Sequence, residues 1–477
     1  IMEVHKMSHP QMRRIQNIHF VGIGGSGMSG IAEVLLNQGY SISGSDIAIN
    51  PSIISLRALG ASIFIGHDKV NISSADVVVK SSAVDFENEE IKEAFKSNIP
   101  VIRRAQMLAE LMRFRHGIAV AGTHGKTTTT SILASILAED QKDPTFIIGG
   151  KVNSLGTSAK LGESHYLVAE ADESDASFVH LQPLVAVITN IDFDHMETYG
   201  HDIEKLKSTY VSFLHNLPFH GLAVVCADDT NIESILQRIS RPCITYGFSE
   251  KADVQITEFK SSQNKSEFKI NNKSQNKSLS IKLNMPGKHN ALNVAAAATV
   301  ALDEGTSCNV IETALKNFSG VSRRFEEIIS VKKPGCEITY VDDYGHHPSE
   351  IRATLDAARL GWPNRKIILI FQPHRFSRTR DLYSDFVDVL SNVDFLILMN
   401  IYSAGESSIT EVNSKNLSND ISRNCKSESH NLNDPDLIVK KLVGSLSNND
   451  LIITQGAGDI SNLAPLIKSA VMDYAND

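Results

Sequence analysis

The stretch Gly122-Thr123-His124-Gly125-Lys126-Thr127-Thr128 carries the residue types that hold a polyphosphate. Glycines let backbone amides close around phosphate oxygens, a lysine neutralises the β and γ phosphates, and the hydroxyl that follows it can ligate magnesium. The longest form of such a loop has glycine six positions before the lysine, where Val120 stands, so this is a shortened relative. A tight turn that happens to contain Gly-Lys-Thr is the competing reading. The apolar run Ile118 to Ala121 before the loop and the helix-like Thr129 to Ala138 after it favour an ATP site, since strand and helix context is what the motif requires. Read this way, Lys126 is an exposed loop residue that gives its charge to the phosphates.

Two acidic runs follow the next apolar runs. Tyr166 to Ala169 ends in Glu170-Ala171-Asp172-Glu173-Ser174-Asp175, and Val185 to Thr189 ends in Asn190-Ile191-Asp192-Phe193-Asp194-His195-Met196. In a parallel sheet these ends open at the same edge as the phosphate loop. Oxygen ligands suit magnesium, whereas a second divalent ion, manganese included, tolerates an imidazole such as His195. Either run alone could be a solvated loop or a helix cap; two at consecutive strand ends weaken that alternative. Further on, Asn290 and Asn293 are three apart at a helix start, so they share a face that could read an adenine edge or simply cap the helix.

A second glycine loop, Gly22, Gly24, Gly25, Ser26 and Gly27, follows the apolar run Ile18 to Val21 and meets the dinucleotide spacing, with Asp46 placed to reach a ribose hydroxyl. Alone it suggests a nicotinamide enzyme. Since the same geometry binds any diphosphate, and the other loop implies ATP chemistry, it reads as a pocket for a nucleotide-diphosphate substrate. Ser81 and Ser82, after the run Val77 to Val79, would line the same crevice, or form a simple polar strand end. Towards the C-terminus stand Arg323-Arg324-Phe325, then Asp342-Asp343-Tyr344-Gly345-His346-His347, then Arg375, Arg378 and Arg380 after the apolar run Ile367 to Phe371. Guanidinium groups at a strand end suit a carboxylate or a phosphate, which their fork binds in bidentate fashion.

Short Val- and Ile-rich runs alternating with helical segments specify an α/β chain of parallel sheets. At 477 residues the chain exceeds one core. Restarts of the strand and glycine-loop pattern predict three domains. These are an N-terminal Rossmann-like domain (1–116), a central ATPase-type parallel sheet with the phosphate loop (117–319) and a C-terminal Rossmann-like domain (320–477). The segments Lys260 to Ser280 and Asn413 to Asp434, crowded with Ser, Asn and Lys, read as exposed hairpins or loops. With 46 basic against 55 acidic residues the net charge is −9, which argues against nucleic acid as a partner. Five cysteines without a paired spacing, and no long apolar stretch, lead to the expectation of a reducing cytoplasm without membrane insertion.

The passages GIGGSGMSGIAEVLL, SGSD, AGTHGKTTTT, AEADESD, NIDFDHM, PGKHNALNVAAA, SGVSRRFE, DDYGHHPSE and QPHRFSRTR, in this order from Val21 to Arg380, resemble the Mur ligase family of peptidoglycan assembly. GIGGSGMSG and DDYGHHPSE are together similar to the alanine-adding member. The resemblance implies UDP-N-acetylmuramate and L-alanine as partners, ATP with magnesium or manganese, an acyl phosphate, and a monomer or weak homodimer. It implies that Lys126 holds the phosphates, with Thr127 and Glu170 on one metal and His195 near a second. Asn290 and Asn293 would contact adenine, Arg324 the phosphates and Asp343 the ATP ribose. Tyr344, His346, Arg375 and Arg378 would border the lactoyl carboxylate and the incoming amine, and the Gly22 to Gly27 loop would take the UDP diphosphate. Several relatives carry a carbamylated lysine some fifteen residues after the histidine matched by His195; Tyr210 stands there, so no carbamylation is expected. The competing functions are a ligase recycling intact peptide, a nicotinamide-dependent oxidoreductase with a regulatory ATPase domain, and a non-catalytic nucleotide-gated module.

Overall fold

The computed structural model describes residues 12–475 except 152, 154, 155 and 425–427, and of Ser26 and Asn424 the backbone only. Three sheets follow one another along the chain. The first consists of β1 (Asn17–Val21), β2 (Ser41–Asp46), β3 (Ser62–Ile65), β4 (Val77–Lys80) and β5 (Val101–Arg103), all parallel in the order β3-β2-β1-β4-β5. Its central strands β1 and β4 are buried on both faces, which is why they read as unbroken apolar runs.

The second sheet contains β6 (His116–Ala121), β7 (Thr145–Ile147), β8 (Ala159–Lys160), β9 (Tyr166–Glu170), β10 (Val185–Ile188), β11 (Leu222–Cys226) and β12 (Cys243–Gly247), in the order β12-β11-β10-β6-β9-β7-β8. Strand β6 lies at the centre, with Val120 beside Glu170 of β9 and Ala121 beside Ile188 of β10. Both neighbours are parallel to β6, so the loops after β6, β9 and β10 leave the same edge. At the β12 side the sheet continues through β13 (Val254–Ser262), β14 (Lys265–Asn272) and β15 (Lys277–Leu283). The Ser, Asn and Lys-rich stretch thus forms strands joined by short turns. Alternate residues such as Ser266, Phe268 and Ile270 are buried, and the polar set between them faces out.

The third sheet holds β16 (Glu326–Lys333), β17 (Cys336–Asp343), β18 (Lys366–Phe371), β19 (Phe395–Leu398), β20 (Glu428–Asn431) and β21 (Asp450–Gln455), in the order β16-β17-β21-β18-β19-β20. Only β16 is antiparallel. Here the sequence reading needs correction, because 413–434 is not a loop throughout. Ser414–Asn424 is a helix and β20 an edge strand. The stretch has few apolar residues, but Leu417 and Ile421 lie four apart on one helical face and enter the core with Phe386 and Leu398.

The chain divides into two compact units. One runs to Thr257 and includes Lys269–Ser280 and Leu292–Ser319; the other comprises Glu258–Phe268, Ile281–Ala291 and the chain from Gly320. No helix among the described residues is long and apolar enough to cross a membrane.

Candidate active site

In the first unit the phosphate loop spans the gap between the end of β6 and the helix Lys126–Glu139. Gly125 caps that helix at φ 81° and Gly122 sits at φ 128°, both in the region where L side chains are strained. Space excludes a side chain as well. A Cβ on Gly125 would lie 2.5 Å from Asn293 Oδ1, and one on Gly122 would overlap the Thr189 hydroxyl. The end of β10 then braces the loop. Thr189 Oγ1 donates to the His124 carbonyl (2.6 Å), and the Asn190 amide accepts from His124 N–H (2.8 Å) and donates to its carbonyl (3.0 Å). Asp192 donates its N–H to Thr123 Oγ1 (2.9 Å), and its carboxylate lies 3.2 Å from His124 Nε2.

Lys126 is not the exposed lysine anticipated from sequence. Its Nζ donates to the carbonyls of Gly122 (2.5 Å) and Thr123 (3.0 Å) and to both carboxylate oxygens of Glu173 (2.9 and 2.8 Å). Only 16% of its side chain and 3% of that of Glu173 meet solvent. Burial opposes the ammonium charge, but Glu173, Asp172 and Glu170 outweigh it and hold the lysine firmly protonated. Burial likewise pushes Glu173 above the usual carboxyl range, against the pull of Lys126. Thr127 and Thr128 are buried in the first turn, and Asn293 accepts from Thr129 Oγ1 (3.2 Å). Loop residues Gly122, Thr123, His124, Gly125 and Lys126 are thus gathered with Asn293 around one turn. Glu170 stands at the end of β9 and accepts from Gly149 N–H (2.7 Å). His195 adopts φ 54°, with Nε2 3.6 Å from Asp194. Tyr210 is fully buried.

The first glycine loop is held from below. Gly22 and Ile23 donate to the Ser45 carbonyl (2.9 and 3.1 Å), Asp46 accepts from Gly24 N–H (2.8 Å) and Asn50 donates to the Gly24 carbonyl (3.0 Å). Here Asp46 shapes the loop with its own carboxylate. Ser81 packs on Gly22, Ser82 is exposed, and Gly25 caps the helix Ser26–Asn37. The side chain of Ser26 lies outside what the structure describes. Across Gly27 sits Arg104, whose Nη2 donates to Asp172 (2.7 Å). Arg104 and Lys126 hold Asp172 down at about 2 although burial opposes this.

In the second unit the loop after β17 is braced by its own acids. Asp343 accepts from Phe325 N–H, Gly345 N–H and Gln455 Nε2 (each 2.9 Å), and Glu350 accepts from the backbone N–H groups of His346 (2.8 Å) and His347 (3.1 Å). Arg323 and Arg324 both lie over the Tyr344 ring, at 5.3 and 5.0 Å. The His346 ring meets Tyr344 and His374 edge-on. Arg378 is buried and donates to the His374 carbonyl (3.1 Å). Arg375, at φ 74°, buries its Nε with no hydrogen-bond partner among the described residues. Asn290 donates to the Pro286 carbonyl (2.8 Å). Tyr344 and His346 thus follow β17 and Arg375 and Arg378 follow β18, two strands of one sheet with β21 between them.

Residues 17–116 match the model described as Mur ligase family, catalytic domain, 120–301 the Mur ligase middle domain and 323–458 the Mur ligase glutamate ligase domain. The chain belongs to the Mur ligase family. It is similar to the crystal structure of the UDP-N-acetylmuramate-alanine ligase MurC from Thermotoga maritima (29% identity, 96% of this chain and 99% of that one, TM-score 0.80). It is also similar to UDP-N-acetylmuramate:L-alanyl-gamma-D-glutamyl-meso-diaminopimelate ligase from Neisseria meningitides (28% identity, 65% and 100% covered, TM-score 0.60). The fold is shared with a murein peptide ligase from Psychrobacter arcticus (24% identity, 96% and 98% covered, TM-score 0.69). As a Mur ligase it is an ATP-dependent, amide-forming enzyme of peptidoglycan synthesis. In the sequence the acidic run with Asp172 and Glu173 stood out for Glu170 and the next run, from Asn190, for His195, whereas Arg104, Thr189 and Glu350 did not stand out as site residues. Their signal was position at a strand or helix end beside a motif already recognised.

Proposed function

We propose that the chain joins L-alanine to the lactoyl carboxylate of UDP-N-acetylmuramate through an acyl phosphate, giving UDP-N-acetylmuramoyl-L-alanine, ADP and phosphate. The observation that carries this reading is the braced loop with a buried, charged Lys126, coupled with likeness along nearly the whole chain to the Thermotoga maritima alanine ligase. In it, the Gly22 to Gly27 loop with Ser81 and Ser82 takes the UDP portion. Lys126 and its loop hold the ATP phosphates, with Asn290, Asn293, Arg324 and Asp343 completing the nucleotide site. Arg375, with a buried unspent donor, suits a carboxylate, and Arg378, Tyr344 and His346 would border the reacting groups. Thr127, Glu170 and His195 would hold divalent metal. Their donors are a hydroxyl at the first turn after the loop, a carboxylate in register beside Val120 and an imidazole, a set that fits magnesium or manganese. Magnesium, when bound, neutralises phosphate charge. The domains would be 1–116, 117–319 and 320–477, and the setting the cytoplasm.

The test is ADP release with UDP-N-acetylmuramate and a panel of amino acids and peptides. Alanine should give the highest kcat/KM. A clear preference for an intact peptide would assign the chain to peptide recycling, and no ADP release with any acceptor would overturn the reading.

A further inference from the structure

Resting on the reading of the first glycine loop as a diphosphate site, we propose that Arg104 is a substrate-binding residue whose guanidinium grips the diphosphate of the nucleotide sugar. The loop Gly22 to Gly30 contains no basic residue of its own. Lys80, at the end of β4, is buried with Nζ 4.4 Å from the centre of the Phe86 ring. Arg104 opens the helix Arg104–Met112 and lies over Gly27, where a Cβ would stand 2.6 Å from Nη1 and 3.3 Å from Cζ. A side chain at 27 would therefore push the guanidinium out of this position. Of the five N–H donors of a guanidinium, only one from Nη2 is used among the described residues, on Asp172. Asp172 in turn is fixed by Ser174 N–H (3.0 Å) and fills one edge of the fork. The other edge and Nε keep their donors beside Gly27, and the side chain is 18% exposed, so a ligand can reach it. A partly desolvated fork with spare donors, aimed by a fixed carboxylate at a loop lacking cations, matches a diphosphate better than a purely structural bracket.

The experiment is equilibrium binding of UDP, uridine and ATP to the full chain as wild type, Arg104→Ala, Arg104→Lys and Asp172→Asn. A charge-assisted contact predicts that Arg104→Ala weakens UDP roughly tenfold to a hundredfold, with uridine and ATP affinities unchanged. Arg104→Lys should fall between, keeping charge but losing the fork, and Asp172→Asn should weaken UDP but not uridine. If wild type binds UDP and Arg104→Ala binds it equally well, the assignment of Arg104 is wrong and the proposed function stands. Equal losses for UDP and uridine would also overturn it, since the residue would then be merely structural. Should Arg104→Ala fail to fold, Arg104→Lys decides by the same comparison. Failure of wild type to bind UDP at all would remove the reading of the loop and this inference with it.

Discussion

Lys126 stands out in the sequence because glycines, a strand and a helix surround it, but its partner does not. Four carboxylates in six positions of one acidic run cannot reveal which turns inward, and burial of the loop decided for Glu173. This changes what Lys126→Ala should do. ATP turnover should still be lost, and the protein should also be destabilised, because removing one partner of a buried pair leaves the other uncompensated. The sign with pH follows from Glu173. Its folded pKa is already raised and rises further without the lysine, so the folded state binds a proton that the unfolded state releases. The Lys126→Ala deficit should therefore grow from pH 6 to pH 8. Urea midpoints should show this, and Lys126→Ala with Glu173→Gln should recover stability without recovering turnover.

Glu90, fully buried under the first sheet, behaves oppositely. Burial opposes its charge, but His19, Ser45 and Asn71 hold it down at about 2. A depressed carboxyl stabilises above its unfolded value and loses that contribution as pH falls through its folded one. The window is thus pH 4.5 to about 2, and about 3 kcal/mol should vanish across it. Acid titration of Glu90→Gln should show a shallower fall in stability over this range.

At the scale of elements, every apolar run singled out from sequence lies in a strand, save that Thr189 falls one residue past β10, because parallel strands buried on both faces have no polar alternation to obscure them. The helix Ser414–Asn424 was missed for the converse reason. Its apolar face is reduced to Leu417 and Ile421 among Ser, Asn and Lys, so composition masked a periodicity that packing alone exposes. Leu417→Ala should accordingly cost about 2–5 kcal/mol in urea unfolding, like any fully buried leucine. A cost under 0.5 kcal/mol would mean that the helix is dispensable. At the phosphate loop, Gly125→Ala meets both a strained φ and Asn293, so ATP affinity should drop at least tenfold. Calorimetric titration would check this, and Gly320→Ala is a control, with a similar φ of 85° but open space around it.

For the whole molecule, the order of motifs carried the architecture, since each of the three sheets begins a new strand, loop and helix series. What the molecule does chemically follows from which end of ATP the loop can charge. In the proposed reaction Lys126, at the start of a helix and held by the carbonyls of Gly122 and Thr123, charges the β and γ phosphates. On that proposal, attack by a carboxylate oxygen on the γ-phosphorus would break its bond to ADP and yield an acyl phosphate. A neutral amine then adds to the acyl carbon, and phosphate leaves with the oxygen that the carboxylate contributed. His346, with its ring against Tyr344 and His374, is a candidate to take the amine proton. Heavy oxygen placed in the substrate carboxylate should therefore appear once in inorganic phosphate, with ADP as the other product. An adenylating enzyme would instead transfer the label to AMP and release pyrophosphate. Mass spectrometry of the two nucleotide products separates these outcomes in a single turnover, and label in AMP would require the ATP to lie with its α-phosphate, not its γ-phosphate, at the reacting carboxylate.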